Sequence, residues 1–115
     1  MTDASEVLAI AEKYLKEMLE ADDTENFDLY TKRYEEKYLV NFSRERFSDD
    51  IKGMHERNGM NTGYEFLCSL RNFSFDGLDI FRLVWKGIYE KRDAVIEFDV
   101  YKKNGNWYVI QSAVH

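Results

Sequence analysis

The chain changes its hydrophobic period near residue 60, from a helical spacing to a strand alternation. Before that point apolar residues recur every three or four positions, as on one face of an amphipathic helix. Beyond it apolar and polar residues alternate, which is typical of strands with one buried face. The pattern therefore predicts one α+β domain over residues 1–115, with a helical layer at 1–60 and an antiparallel sheet at 61–115.

Three helices are predicted in the first half, each with a recognisable start. Asp3 caps the first helix, Ser43 caps the third, and Asp23 or Thr24 caps the second. The second helix carries an aromatic stripe at spacings of three, four and four, made of Phe27, Tyr30, Tyr34 and Tyr38. We interpret this stripe as the packing face of the helix, with a ligand pocket as the alternative, because buried hydroxyl groups need partners.

Turn signals divide the second half into a meander of about four strands. Asp76-Gly77 and Asn104-Gly105 are two-residue hairpin turns, and residues 90–93 form the loop between them. In the register that these turns fix, the face toward the helices is apolar and carries no acid, and its members are Tyr64, Phe66, Cys68, Leu70, Phe81, Leu83, Trp85, Tyr89, Ala94, Ile96, Phe98, Val100, Trp107, Val109 and Ala113.

Specific strand pairs follow from this register. Trp85 is expected opposite both Cys68 and Phe98, which makes Cys68 a buried and unreactive thiol. Arg71 would face Arg82, and because like charges repel across strands, we expect a β-bulge near that point.

The order of three N-terminal helices and a meander that ends in VIEFDVYKKNGNWYVIQSAV resembles the nuclear-transport-factor-2-like superfamily, also described as cystatin-like. The closing pattern is an alternating strand, a Gly turn, a Trp and a final alternating strand. The resemblance implies a cone-shaped fold, in which the curved sheet wraps the first helix and leaves a cavity at the wide end. The superfamily contains isomerases, dehydratases, cyclases and many non-catalytic domains, so the fold leaves function open.

Composition narrows the function classes. The formal net charge is −6, and residues 1–60 hold 15 acids against 9 bases. Such a surface disfavours nucleic-acid binding and favours a basic protein partner. With one cysteine, no apolar run long enough for a bilayer and no signal-peptide pattern, we expect a cytoplasmic protein without a disulfide, a metal cluster or a membrane span. No phosphate-loop or dinucleotide motif occurs, so we expect no cofactor.

Catalysis is not expected, because the sequence places no acid beside a base within the sheet's inner face. A general base must reach its proton at hydrogen-bonding distance. The alternative is a small-molecule site in the cone with isomerase-like or dehydratase-like activity, lined by Tyr30, Tyr34, His55, Trp85, Phe98 and Gln111.

Two surfaces are candidates for partner binding. Six acids without an intervening base form a predicted patch for a basic protein, or simply a solvated helix corner, and they are Glu17, Glu20, Asp22, Asp23, Glu25 and Asp28. The main functional hypothesis is a non-catalytic binding domain, such as an acidic immunity protein that neutralises a basic nuclease toxin. A homodimer is the second expectation, through outer-face residues that include Phe73, Phe75, Ile80, Tyr101, Tyr108 and Ile110.

Overall fold

Helices followed by a four-stranded antiparallel sheet make up the fold, as the change of period predicts. The computed structural model describes residues 3–115. The strands lie in the order β1-β2-β3-β4, each antiparallel to the next. The elements in chain order are α1 (Ala4–Thr24), α2 (Phe27–Thr31), a 3₁₀ turn (Glu36–Tyr38), α3 (Arg44–Asn58), β1 (Asn61–Phe75), β2 (Leu78–Tyr89), β3 (Asp93–Lys103) and β4 (Asn106–Val114).

Side-chain caps begin the helices, and two of the three predicted caps are confirmed. The Asp3 carboxylate accepts a hydrogen bond from the Ser5 amide at 2.8 Å, and the Ser43 hydroxyl accepts one from the Arg46 amide at 3.1 Å. The prediction for the second helix is wrong. Its cap is Asn26, because α1 continues through Thr24 before the chain turns.

The second helix is also shorter than the aromatic stripe suggested. It ends at Thr31, and residues 32–38, which we call the strap, leave the helix to run along β4. The Val109 amide donates to the Arg33 carbonyl at 2.8 Å, and Tyr34 forms a parallel bridge with Val109. Pairing with the sheet therefore overrides the local helical pattern. The prediction that one helical face carries all four rings is wrong, because Tyr38 lies across the sheet edge and packs on Tyr101.

The strand register keeps the predicted buried face in β2 and β3 but shifts the pairs by two residues. Trp85 lies opposite Ile96, and Leu83 lies opposite Phe98. Because side chains alternate with a period of two, this shift leaves every residue on its expected face. All four side chains are buried and pack against α1.

Bulges change the faces of β1. The register slips between Phe66 and Cys68 and again between Leu70 and Phe73. The second slip confirms the bulge expected near Arg71. The first places Phe66 opposite Trp85 and Cys68 opposite Val84, so the prediction that Cys68 is buried is wrong and its thiol is exposed.

A third irregularity, in β4, changes which polar group faces the helices. Val109 pairs with Val100 as predicted, but Gln111 pairs with Asp99, so one extra residue separates the two pairs. Gln111 is consequently exposed, and Ser112 lies opposite the buried Phe98. The expectation that Gln111 faces the interior is wrong. Within residues 3–115, no helix combines the length and the apolar composition that a membrane crossing requires.

Candidate functional site

A cavity of about 270 Å³ lies where α1, α3 and the end of β4 meet, and we call it the inner cavity. Apolar side chains of α3 form one wall, and Asp22, Tyr30, Asp50, Arg57 and Ser112 contribute polar groups. The lining residues are Met18, Asp22, Tyr30, Phe42, Phe47, Asp50, Ile51, Met54, Arg57, Ser112, Ala113 and Val114.

Asp22 supplies a buried carboxyl group to this cavity. The residue is 4% exposed, and its Oδ1 finds no hydrogen-bond partner among residues 3–115. Burial raises the pKa of this carboxyl from 3.8 to about 8, and the neighbouring charge of Asp23 adds to the rise. The group is therefore largely protonated at neutral pH, and it can donate a hydrogen bond as well as accept one.

This carboxyl corrects two expectations. The interior was predicted to contain no acid, but that prediction considered only the strands. Asp22 lies on α1, four residues after Met18 and three after Leu19, so it continues the buried face of the helix. The spacing of Asp22 from Met18 and Leu19 in the sequence therefore indicates its burial. The same position removes Asp22 from the predicted acidic surface.

Three hydroxyl groups form a cluster beside Asp22. The Tyr30 and Tyr34 hydroxyls lie 2.7 Å and 3.0 Å from the Ser112 Oγ, and the two rings stack with centroids 6.0 Å apart. Burial raises the pKa of both tyrosines, so they remain protonated in the physiological range. Ser112 was not a predicted site residue, because its inward position depends on the β4 bulge, which no residue in the sequence marks.

Further buried polar groups surround the end of α1. In the described part of the chain, the buried side-chain atoms without a hydrogen-bond partner are Asp22 Oδ1, His55 Nε2, both amide atoms of Asn58, and Tyr89 Oη. Burial and the charge of Asp22 raise the pKa of Tyr89. The His55 Nε2 lies 4.0 Å from Asp23 Oδ1. Buried polar groups normally have partners, so the hydrogen bonding of this region is incomplete within residues 3–115.

A second cavity of about 510 Å³ adjoins the first, and we call it the outer groove. Exposed side chains from the strap and from the start of α3 form its rim. The two cavities share Tyr30, Phe42, Asp50 and Ser112. The remaining lining residues of the groove are Tyr34, Lys37, Tyr38, Leu39, Val40, Asn41, Arg46, Ile110 and Gln111.

Only part of the predicted cavity set lies at these cavities. Tyr30 lines both of them, and Tyr34 and Gln111 line the outer groove. His55 faces Asp23 instead. Trp85 and Phe98 are 1% exposed within the core and line neither cavity, so their assignment to the site is corrected.

Ion pairs divide the predicted acidic patch. Both carboxylate oxygens of Glu17 accept hydrogen bonds from Arg33 at 2.9 Å, and Asp28 pairs with Arg44 at 2.7 Å. Asp22 is buried and so does not belong to the surface, whereas Glu20 and Glu25 are exposed. The six acids therefore do not share one unpaired surface.

The predicted dimer face is partly covered by the strap. Ile80 is 5% exposed and Tyr101 is fully buried, with the Tyr101 hydroxyl donating to Glu35. Both residues are therefore unavailable for a dimer contact, which corrects their assignment. Phe73 and Phe75 are exposed, and Tyr108 and Ile110 are half-buried.

Comparisons with known proteins find no matching family model, no similar curated protein and no similar solved structure. The resemblance to the nuclear-transport-factor-2-like superfamily therefore stays a prediction. Across residues 3–115, no group of three or more His, Cys, Asp or Glu side chains is placed to hold a metal ion.

Proposed function

We propose that the inner cavity binds a small organic molecule and that the Asp22 carboxyl is the polar group that orients it. The observation that carries this proposal is that Asp22 lines the cavity while its buried Oδ1 has no hydrogen-bond partner among residues 3–115. Leaving such a group unsatisfied costs about 1–3 kcal/mol, and a ligand that accepts or donates a hydrogen bond there recovers this energy.

The remaining wall suits an apolar ligand body. Phe42, Phe47, Ile51 and Met54 give the inner cavity an aromatic and aliphatic lining. Small-molecule sites are typically apolar with a few placed polar groups, and they enclose about 300–1,000 Å³. The inner cavity, at about 270 Å³, lies slightly below this range, so it suits a small ligand.

A neutral carboxyl in an apolar site can also transfer a proton to a bound carbonyl or hydroxyl group. Proton transfer of this kind fits the isomerases and dehydratases of the superfamily that the sequence resembles. The cone-shaped fold of that superfamily, with a cavity at its wide end, is part of the same proposal.

The test is a fragment screen by amide chemical-shift perturbation with three variants. Asp22→Asn keeps the shape and a donor group, Asp22→Leu removes both polar functions, and Glu20→Gln is the matched control at an exposed acid two residues away. Hits should shift the amides of Ser112 and Phe47. Their affinity should fall about tenfold in Asp22→Leu, since one hydrogen bond to the ligand is lost. Hits that bind Asp22→Leu as tightly as the native chain would refute the role of Asp22.

Protein binding is the second candidate, and exposed apolar side chains on β1 favour it. Phe66, Leu67, Leu70, Phe73 and Phe75 are each 40% exposed or more. Such clusters mark interaction surfaces on many proteins. The immunity-protein hypothesis would then depend on this strand more than on the acidic residues. Leu67→Ser with Leu70→Ser should abolish capture of a native partner, whereas Glu20→Lys with Glu25→Lys should only slow its association at low salt.

A further inference from the structure

The two cavities differ in the charge of the groups that line them. In the inner cavity the charged groups are Asp50 and Arg57, the Asp22 carboxyl is largely protonated, and most of the other lining side chains are apolar. The outer groove has Lys37 and Arg46 as cations and Asp50 as its acid. Its neutral amides, Asn41 and Gln111, add further hydrogen-bond donors. The chain has a net charge of −6, so a groove with more cations than acids is unexpected on its surface and favours an anionic ligand.

Neither cation is strongly held by its present acid. Lys37 Nζ lies 3.4 Å from Asp76, and both side chains are at least half exposed. Arg46 Nε lies 4.0 Å from Asp50, again with both side chains exposed. Exposed pairs of this kind contribute little to stability, so either cation can turn toward a ligand.

The shared wall makes the two cavities parts of one site. Tyr30, Phe42, Asp50 and Ser112 line both, so the two cavities are direct neighbours, and a rotation of these side chains is enough to let one ligand reach into both. The inner end offers the Asp22 carboxyl, and the outer end offers Lys37 and Arg46. A ligand that fills both would need a hydrogen-bonding group at one end, an apolar middle and a negative charge at the other end.

We infer that the ligand is an elongated organic acid, with its oxygenated apolar end in the inner cavity and its carboxylate in the outer groove. This inference rests on the proposed function, since it assumes that the inner cavity binds a ligand. It adds the chemical class of that ligand and its orientation. Arg46 and Lys37 would be the groups that select the acid over an uncharged molecule of the same length.

Two matched probes test the inference, 8-hydroxyoctanoate and octane-1,8-diol. They share the chain and one terminal hydroxyl, and they differ only in the charge at the other end. At pH 7 and low salt, 8-hydroxyoctanoate should bind about tenfold more tightly, a difference of about 1.4 kcal/mol that the two exposed cations supply together. The shifts that the acid adds over the diol should map to the amides of Asn41 and Gln111.

The variant for this test is Lys37→Gln with Arg46→Gln, both at exposed positions whose ion pairs are also exposed. It should reduce affinity for 8-hydroxyoctanoate about tenfold and leave the diol within twofold. Lys13→Gln with Lys52→Gln is the matched control, because it changes the net charge equally at exposed sites outside both cavities. This control should leave both affinities within twofold.

Different results separate the two proposals. Equal affinities for the acid and the diol, or an equal loss in the control variant, would overturn the inference and leave the inner cavity as a ligand site. Asp22→Leu should weaken both probes alike. Failure of that variant to weaken either probe counts against the proposed function, whereas the Lys37 and Arg46 result concerns only the charged end. If neither probe binds at millimolar concentration, the assignment of an organic acid of this length is wrong.

Discussion

Arg82 and Asp99 form a two-point ion pair across β2 and β3. The Arg82 Nε and Nη2 donate to the two carboxylate oxygens of Asp99 at 2.8 Å and 2.9 Å. Asp99 is 4% exposed although it lies on the sheet face away from α1. Because the carboxylate has little contact with water, its energy depends strongly on Arg82.

Replacing Asp99 with Asn should therefore destabilise the protein by about 2–4 kcal/mol, since Arg82 then keeps a weaker acceptor in a largely buried position. Urea denaturation at pH 7 measures this change. Glu65→Gln is the control, because the Lys86–Glu65 pair at 2.9 Å is exposed and should be worth about 0–1 kcal/mol. Equal losses in the two variants would show that the burial of Asp99 does not matter.

The protonation of Asp22 predicts a distinct pH dependence. Its folded-state pKa, about 8, lies above the ordinary value of 3.8, so the folded state holds an extra proton between these values. The contribution of Asp22 to the free energy of unfolding is therefore most favourable below about pH 4, and it falls progressively as the pH rises toward 8. Relative to the native chain, Asp22→Asn should gain up to about 1.4 kcal/mol in unfolding free energy per pH unit in this range.

Denaturation of both proteins at intervals from pH 5 to pH 9 would measure this difference. Glu17 behaves in the opposite way, because its hydrogen bonds to Arg33 lower its pKa and so stabilise the folded state as the pH rises from acid, whereas burial raises the pKa of Asp23 as well. Only the difference between the native chain and the variant isolates Asp22. A difference that stays constant across the range would mean that Asp22 is ionised throughout.

Gly87 occupies a position where a side chain has no room. A Cβ atom built there would lie 2.7 Å from Tyr89 Cε1 and 2.8 Å from Ile96 Cδ1, both in buried side chains. Gly87→Ala should therefore cost about 1–3 kcal/mol through overpacking. Gly53→Ala on α3 is the opposite case, because nothing lies within 4 Å of its Cβ position. It should stabilise the helix by up to about 1 kcal/mol, and thermal or urea denaturation compares the two.

The exposed position of Cys68 predicts that its thiol reacts in the folded protein. Its side chain lies on β1, outside the core. A chromogenic disulfide reagent should modify one thiol per chain without denaturant, at a rate close to that of the unfolded chain, and Cys68→Ser should not react. Reaction that begins only in denaturant would restore the original prediction of a buried thiol.

Local signals in the sequence were sufficient for the element order and for most of the buried face. Capping residues, the two Gly turns and the alternation of β2 and β3 depend on near neighbours, so Asp3, Ser43, Trp85 and Phe98 were placed correctly. The bulges were harder, because their position depends on pairing with a distant strand. Only the bulge near Arg71 could be predicted, because the first hairpin turn would otherwise place Arg71 opposite Arg82, and like charges repel.

The candidate site was missed for two different reasons. Ser112 depends on the β4 bulge, which the alternation alone does not reveal. The helical spacing after Met18 and Leu19 places Asp22 on the buried face of α1. Asp22 also belongs to a run of acids, and such a run is typical of an exposed surface. The strap was missed because its bridge from Tyr34 to Val109 joins segments 75 residues apart.

That bridge makes the two borders of the sheet unequal. The strap occupies the free edge of β4 at Val109, whereas β1 has no neighbouring strand on its outer side within residues 3–115. An extended segment that joins this sheet by backbone pairing would therefore find β1 uncovered, whereas at β4 the strap stands in its way at Val109. The strap (residues 32–38) precedes the sheet in the chain. β4, the last strand to be synthesised, therefore packs against a segment that was synthesised well before it.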